Sequence, residues 1–159
     1  EFRAIRYRHA IDFMIANGLE DGQTIFDVGA GMTEFAYTLF NEYGWRGRYI
    51  PIDGGIDGTD LNEWSPPRDG HWFVALELLE HLTNWKNLLT RIQNSATKGV
   101  VVSTPNPYTT DVLGMDHTHV TEIFPLDLED FNFTVTPETF YGGVFSGGKP
   151  DSLFGSWLR

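Results

Sequence analysis

The stretch TIFDVGAGMTEF, residues 24–35, begins as an apolar run, breaks into glycines and continues as a polar, helix-like segment. Its first part, Thr24 to Val28, is rich in β-branched and aromatic residues, which predicts a short buried strand. Gly29 and Gly31 follow at once, and because glycine has no Cβ, the backbone there can turn tightly and let a ligand lie against it. The pattern predicts a strand, a turn and a helix, with a ligand site at the turn.

Strand and helix patterns alternate along the rest of the chain. Helices are predicted over residues 3–17, 33–43, 84–96 and 126–131. Strands are predicted over residues 24–28, 48–53, 59–61, 71–76, 98–103, 133–140 and 153–158. This alternation indicates an α/β, Rossmann-like fold in one domain, residues 1–159, with a mostly parallel, seven-stranded sheet flanked by helices. The last two strands have no helix between them and are expected to form an antiparallel C-terminal hairpin at one edge.

The amino-acid composition excludes several kinds of site and partner for this chain. Hydrophobic residues make up 41% of the 159 residues and aromatic residues 14%, which is typical of a chain with a packed core. The absence of cysteine excludes disulfides, thiolate zinc sites and a cysteine nucleophile, and fits a cytoplasmic protein. No apolar stretch approaches the roughly 20 residues that cross a bilayer, so no membrane partner is expected.

The formal net charge of -11 disfavours nucleic acid as a partner unless the fold gathers a local basic patch. The residues available for such a patch are Arg3, Arg6, Arg8, Arg46 and Arg48. The simpler interpretation is that these arginines solvate the face of the first helix and a turn. The predicted apolar stripe of that helix is Ile5, Ala10, Phe13 and Met14.

The residues around the glycine turn indicate which ligand it binds. Asp27 puts a carboxylate beside the ligand, and Asp53, at the end of the second strand, suits a bidentate bond to a ribose diol. The turn lacks the third glycine of the dinucleotide fingerprint, and Glu34 at the start of the helix would repel phosphate. These features disfavour a nicotinamide dinucleotide and favour S-adenosylmethionine, which has a sulfonium and an ammonium group and no phosphate. A structural turn without a ligand remains the alternative.

Four motifs in order make the chain resemble class I S-adenosylmethionine-dependent methyltransferases of the methyltransferase type 11/12 kind, over roughly residues 20–140. FDVGAGMTEF (26–35) resembles the first motif of the family, and YIPIDGG (49–55) its acidic second-strand end. FVALELLEHL (73–82) resembles the segment after the fourth strand, and KGVVVSTPNP (98–107) the fifth strand with its loop.

The resemblance implies a set of cofactor-binding positions. Asp27, Gly29 and Gly31 would hold the methionyl moiety, Asp53 the ribose hydroxyls, Asp60 and Leu61 the adenine, and Glu77 would open the substrate side of the pocket. Thr33 stands where the family usually has a third glycine. The segment between the second and fourth strands is also shorter than the family pattern.

The segment ELLEHL, residues 77–82, carries Glu77, Glu80 and His81 at i, i+3 and i+4, which lie together on a helical turn. With His119 further along, the set resembles RNA 3′-terminal 2′-O-methyltransferases, and its Glu-x-x-Glu-His run also resembles ubiquinone-pathway O-methyltransferases. The resemblance implies that Glu77, Glu80, His81 and His119 hold a divalent metal, Mg²⁺ or Mn²⁺, and that Glu80, His81 and His119 are catalytic. The alternative is that the histidine only caps or orients a helix.

The sequence therefore predicts an S-adenosylmethionine-dependent methyltransferase that methylates a hydroxyl of a small molecule or a sugar. Two alternatives stay open, an RNA 3′-terminal 2′-O-methyltransferase and an S-adenosylmethionine-binding module without catalytic activity. An alcohol acceptor must lose its proton, either to a base or with the help of a metal that lowers its pKa.

Overall fold

The structure, a computed structural model, describes residues 2–159. The strands are β1 (Thr24–Val28), β2 (Arg48–Ile52), β3 (Gly70–Leu76), β4 (Ala96–Pro105), β5 (Thr134–Glu138) and β6 (Ser152–Leu158). The helices are α1 (Phe2–Ala16), α2 (Glu34–Tyr37), α3 (Gly54–Asp57), α4 (Trp85–Ser95), α5 (Val112–Met115) and α6 (Pro125–Glu129). A π-helical turn, Thr38–Glu42, continues α2, and a 3₁₀ turn, Leu79–His81, follows β3. Within the described range, no helix has both the length and the apolar character needed to cross a membrane.

The strands form one sheet in the order β2-β1-β3-β4-β6-β5. The first four strands of this order are parallel, whereas β6 is antiparallel to β4 and β5 is antiparallel to β6. The prediction of a mostly parallel α/β sheet that ends in an antiparallel C-terminal pair is therefore confirmed. Because β1 and β3 are parallel neighbours, the residues that follow them, Gly29 and Glu77, lie at the same edge of the sheet.

The sheet has six strands among residues 2–159, so the prediction of seven was wrong. The missing strand is the one expected at residues 59–61. There, the carboxylate of Asp57 accepts the Thr59 N–H at 2.9 Å, and the carboxylate of Asp60 accepts the Asn62 N–H at 3.0 Å. These local bonds occupy backbone donors that a strand would need for pairing, and the segment folds as turns.

Apolar residues cover both faces of the sheet. Along β1, Ile25 packs on the face covered by α1 and α2, and Phe26 packs on the face covered by α4. The alternation follows from the period of two in a strand. Both faces are buried, as expected for parallel strands with helices on either side.

The helix α1 is rotated relative to the prediction. Its buried residues are Arg6, Ala10, Ile11 and Met14, whereas Ile5 is 44% exposed. Arg6, which the sequence suggested as part of a solvated face, is only 6% exposed. The first helix therefore brings a buried cation to the sheet edge where β1 ends.

A buried carboxylate organises the 140–148 loop between β5 and β6. Asp151 is 1% exposed, and its carboxylate accepts the backbone N–H groups of Phe140 at 2.7 Å, Tyr141 at 3.0 Å and Gly143 at 3.0 Å. The loop returns over the same sheet edge as the glycine turn and carries Tyr141 to it.

Replacing this carboxylate should destabilise the protein. In Asp151→Ala three backbone N–H groups lose their acceptor, and at roughly 1 kcal/mol or more for each unsatisfied buried donor we expect the free energy of unfolding to fall by about 3 kcal/mol. Urea unfolding followed by tryptophan fluorescence measures this change. The exposed Asp69→Ala serves as the control, and equal stability of the two variants would contradict the role assigned to Asp151.

Candidate functional site

The glycine turn after β1 is held by hydrogen bonds to the end of β2. Gly29 N–H donates to the Ile52 carbonyl at 2.7 Å, and Gly31 N–H donates to the Asp53 carboxylate at 3.2 Å. Both glycines have positive φ, 77° and 54°, which side chains with a Cβ rarely adopt. A Cβ on Gly29 would also come within 2.7 Å of Leu78, whereas a Cβ on Gly31 would point into open space. The backbone at Gly31 is thus open to a ligand.

A cavity of about 280 Å³, here called the glycine-turn cavity, lies above this turn. It is lined by the turn itself, by α1 and by the residues that end β3. It combines a buried carboxylate, Asp27, with a buried guanidinium, Arg6. A cavity with both charges suits a ligand that itself carries an ammonium and a carboxylate.

Asp27 is the acidic side of the glycine-turn cavity. Its carboxylate is 4% exposed and accepts a short hydrogen bond from the Tyr49 hydroxyl. Burial raises the pKa of Asp27 to about 7, although the Tyr49 hydrogen bond acts in the opposite direction. A bound cation would take over the charge compensation that a proton otherwise provides.

Arg6 is the basic side, and the sequence analysis did not assign it to the site. Its Nη1 donates to the Tyr141 hydroxyl at 3.0 Å, and its Nε is buried with no hydrogen-bond partner among residues 2–159. Burial lowers the pKa of Arg6, but the charge of Glu77 and the contacts with Tyr141 and Tyr7 together outweigh it and the net pKa is raised. In the sequence, Arg6 precedes Ala10 by four positions and Met14 by eight, so the three residues share one face of the first helix. This spacing indicates that Arg6 faces the core.

Glu77 forms the wall between two cavities. Its backbone is left-handed, with φ of 56°, a conformation that is uncommon outside glycine and concentrates at functional sites. One carboxylate oxygen accepts the Tyr141 hydroxyl and the other accepts the Ser103 hydroxyl, both at 2.7 Å. Its N–H donates to the Ser103 carbonyl at 2.9 Å. The position of the carboxylate is therefore fixed from both sides.

On the other side of Glu77 lies a second cavity of about 230 Å³, here called the histidine cavity. Its polar lining contains the other residues that the sequence singled out, Glu80, His81 and His119. Its apolar lining includes Met115 and Phe145. The glycine-turn cavity and the histidine cavity share Glu77 as a lining residue.

Three side chains in the histidine cavity form a cluster. The Nε2 atoms of His81 and His119 lie 3.8 and 3.9 Å from the same oxygen, Oε2 of Glu80. The potential ligand atoms of the three residues all lie within 4.8 Å of one another. The Glu80 carbonyl accepts the Val120 N–H at 2.9 Å, which holds the loop containing His119 against the 3₁₀ turn.

In the neutral form of each ring, the hydrogen bonds select the tautomer with the proton on Nδ1 and a lone pair on Nε2. The Nδ1 atom of His119 lies 2.6 Å from the Val112 carbonyl, which can only accept, so Nδ1 carries the proton. The Thr118 hydroxyl donates to Asp116 at 2.6 Å, so at 2.9 Å its oxygen accepts from Nδ1 of His81. Burial, and then the neighbouring His119, lower the pKa of His81, which favours the neutral ring. Two nitrogen lone pairs therefore face Glu80.

Glu80 is buried without full compensation. Its side chain is 1% exposed, and Oε1 has no hydrogen-bond partner among the described residues. Burial, reinforced by the nearby charge of Glu77, raises the pKa of Glu80 well above its usual range. A buried carboxylate with an unpartnered oxygen and two imidazole lone pairs has the chemistry of a cation site.

The remaining residues of the predicted site are placed differently. The carboxylate of Asp53 faces the glycine turn through Gly31 and also accepts the Gly55 N–H at 2.9 Å. Leu61 is buried in the core and Asp60 bonds within its own turn. Neither of them lines the glycine-turn cavity, and Asp53 borders it only through its bond to Gly31. Their contact with adenine stays a prediction.

Glu77 lies outside the group of three potential ligands, and its role as a metal ligand also stays a prediction. The sequence analysis missed Arg6 and Tyr141, and it did not single out Ser103. Tyr141 and Ser103 could be identified as site residues only from the fold, because both reach Glu77 from other strands and loops.

Solved structures of other proteins have the same fold as this chain. No protein-family model and no curated protein matches the sequence. An S-adenosylmethionine-dependent methyltransferase from Archaeoglobus fulgidus superposes with a TM-score of 0.67 at 16% identity, over 98% of this chain and 92% of that chain. The small RNA methyltransferase HEN1 gives 0.74 at 15% identity, over 97% of this chain and 25% of that chain. Magnesium protoporphyrin IX methyltransferase from Synechocystis PCC 6803, with bound S-adenosylhomocysteine, superposes with a TM-score of 0.59 at 13% identity. The match covers 99% of this chain and 84% of that chain.

The buried Asp27 makes stability depend on pH. Its pKa is about 7 in the folded protein and near 3.8 in the unfolded chain, so its contribution to stability is fully present below pH 3.8 and is lost as the pH rises through 7. Asp27→Asn keeps the shape and an acceptor for Tyr49 but removes the titration. We expect the variant to gain stability relative to the wild type between pH 4.5 and 8.5, by up to about 4 kcal/mol.

Urea unfolding of both proteins across this pH range measures the difference. Asp69→Asn, an exposed carboxylate, is the control. A stability difference between Asp27→Asn and the wild type that stays constant with pH would contradict the burial of an uncompensated Asp27.

Proposed function

We propose that this chain, which has the fold of class I S-adenosylmethionine-dependent methyltransferases, transfers a methyl group to a hydroxyl of a small molecule or a sugar with the help of a divalent cation. The observation that carries the proposal is the pair of adjoining cavities that share Glu77. One cavity has the charges that suit the cofactor, and the other has a carboxylate and two imidazoles.

The glycine-turn cavity fits S-adenosylmethionine. The ammonium group of the methionyl moiety suits Asp27, whose burial leaves its charge uncompensated, and the carboxylate suits Arg6, whose Nε has no partner among residues 2–159. Asp53 lies against the open backbone at Gly31, and each of its oxygens keeps a lone pair for a ribose hydroxyl.

The histidine cavity fits a divalent cation such as Mg²⁺ or Mn²⁺. Glu80, His81 and His119 would hold it, since Oε1 of Glu80 is unpartnered in the described chain and both Nε2 lone pairs face inward. When bound, such a cation supplies a Lewis acid that lowers the pKa of a hydroxyl.

The residues of the chain position the acceptor oxygen and affect where the proton of its hydroxyl goes. Methyl transfer needs the acceptor oxygen in line behind the sulfonium carbon, and the fixed carboxylate of Glu77 defines where the two cavities meet. With a cation bound, both Nε2 lone pairs serve as its ligands, and without one an Nε2 atom can accept the proton of the hydroxyl. Pro105, Met115 and Phe145 give the histidine cavity an apolar wall against which the carbon skeleton of an acceptor can pack.

A second candidate is methylation of the 2′-hydroxyl at the 3′ end of RNA. The cluster of Glu80, His81 and His119 and the likeness to the small RNA methyltransferase HEN1 support it. The net charge of -11 argues against it, as do the ion pairs of Arg3 with Glu34 and of Arg8 with Glu42, both of which reduce the basic character of α1.

Removing the guanidinium of Arg6 should weaken cofactor binding. We expect Arg6→Gln to lower the affinity for S-adenosylhomocysteine by about tenfold or more, because a charge-assisted hydrogen bond contributes roughly 1.5–3 kcal/mol. Isothermal titration calorimetry measures the affinity. Arg8→Gln, on the same helix but exposed and paired with Glu42, is the matched control. Unchanged affinity in Arg6→Gln would remove Arg6 from the site, and no binding to the wild type at millimolar ligand would reject the proposed activity.

Removing the charge of Glu80 should weaken the cation site. Glu80→Gln keeps the shape of the side chain, and we expect Mn²⁺ affinity, followed by electron paramagnetic resonance, to fall roughly tenfold or more. Methyl transfer by the wild type should disappear in EDTA and return with Mg²⁺ or Mn²⁺. The exposed Glu122→Gln is the control. Methyl transfer that persists in EDTA would contradict the metal-assisted reaction while leaving the methyltransferase assignment in place.

Mass spectrometry separates the two acceptor classes. The main proposal expects methylated catechols or sugar diols from reactions with S-adenosylmethionine and Mg²⁺. The RNA candidate expects methylation of a short single-stranded RNA that is lost when its terminal ribose lacks the 2′-hydroxyl. A wild type that binds the cofactor and methylates neither class would favour a binding module without catalytic activity.

A further inference from the structure

A chain of hydrogen bonds runs from the glycine-turn cavity to the wall of the histidine cavity. Arg6 Nη1 donates to the Tyr141 hydroxyl at 3.0 Å, and this hydroxyl donates to Oε1 of Glu77 at 2.7 Å. Arg6 lines the glycine-turn cavity and Tyr141 lines the histidine cavity, while Glu77 lines both. The three residues come from α1, the 140–148 loop and the end of β3.

The Tyr141 hydroxyl makes a hydrogen bond to each of its two neighbours in this chain. It accepts from Arg6 and donates to Glu77, so the guanidinium polarises the hydroxyl and strengthens its bond to the carboxylate. The guanidinium carbon also lies 5.8 Å from the centre of the Tyr141 ring. The negative charge of Glu77 is thereby drawn toward Tyr141 and Arg6 and away from the histidine cavity.

The charges along this chain also act on the cation cluster. Glu77 lines both cavities, and the Arg6 guanidinium lies at the far end of the same hydrogen-bonded chain. A cation at the cluster is attracted by Glu77 and repelled by Arg6. A ligand carboxylate at Arg6 would offset the guanidinium and weaken its hold on the Tyr141 hydroxyl.

We propose that Tyr141 couples the two cavities, so that a ligand carboxylate bound at Arg6 strengthens the binding of a divalent cation at Glu80, His81 and His119. The inference rests on the proposed function, because it assigns a cofactor to one cavity and a cation to the other. Tyr141 is a positioning residue in this scheme, since it acts through Glu77. The consequence is an order of assembly in which the cofactor enters first and prepares the acceptor site.

Mn²⁺ titrations followed by electron paramagnetic resonance test the coupling in the full chain. In the wild type, saturating S-adenosylhomocysteine should raise the Mn²⁺ affinity about fivefold or more, the lower end of typical coupling between sites. By reciprocity, saturating Mn²⁺ should raise the affinity for S-adenosylhomocysteine by the same factor, which calorimetry measures independently.

Tyr141→Phe keeps the ring and removes the hydroxyl that joins Arg6 to Glu77. We expect this variant to bind both ligands while the coupling falls below about twofold. Tyr43→Phe is the matched control, because it removes a tyrosine hydroxyl that donates to a carboxylate, Asp12, at 2.8 Å, and Tyr43 lines neither cavity. Arg6→Lys is a second variant that keeps the positive charge and loses the guanidinium, and it should also reduce the coupling.

The outcomes separate the two proposals. No binding of S-adenosylhomocysteine to the wild type overturns the proposed function, and no binding of Mn²⁺ overturns the cation site together with the coupling. Independent binding of both ligands to the wild type overturns the coupling and leaves the proposed function standing. Full coupling in Tyr141→Phe overturns the role of Tyr141, whatever the result for Arg6→Lys.

Discussion

The carboxylate of Glu77 is the constraint on which the rest of the site depends. It stands at the end of β3 in a left-handed backbone conformation, and hydroxyl groups from Ser103 and Tyr141 fix its two oxygens. The strain of such a backbone is tolerated because a strand on one side and the 140–148 loop on the other determine where the side chain goes. Glu77 then separates one cavity from the other at a single sheet edge.

Electrostatics distinguish the two cavities. Asp27 and Arg6 give the glycine-turn cavity one buried charge of each sign, which matches a zwitterionic ligand. In the histidine cavity, Glu80 lies against two imidazoles with one oxygen unpartnered among residues 2–159. Burying these groups costs stability in the free protein, and ligands that supply the missing charge would recover it. This arrangement is typical of binding sites and has no evident benefit for folding alone.

The sequence predicted those parts of the molecule in which local chemistry and tertiary structure agree. The strand at residues 24–28, the glycine turn and the antiparallel C-terminal pair follow from apolar patterning and from glycine. The family resemblance grouped Glu80, His81 and His119, which the structure brings together, and their role stays a prediction. The prediction of a seventh strand was wrong because the side chains of Asp57 and Asp60 accept nearby backbone N–H groups. Strand propensity alone does not account for such bonds. Arg6 and Tyr141 were not predicted as site residues. They are 135 positions apart and meet only because α1 and the 140–148 loop pack on the same sheet edge.

Two ligands are expected on opposite sides of Glu77. Anomalous diffraction at the manganese edge, from crystals grown with MnCl₂ and S-adenosylhomocysteine, tests this arrangement most directly. We predict one strong anomalous peak in contact with Glu80, His81 and His119, and S-adenosylhomocysteine density against Gly31 with its carboxylate at Arg6. A structure with manganese bound elsewhere and the glycine-turn cavity without the ligand, at saturating concentrations of both, would contradict it.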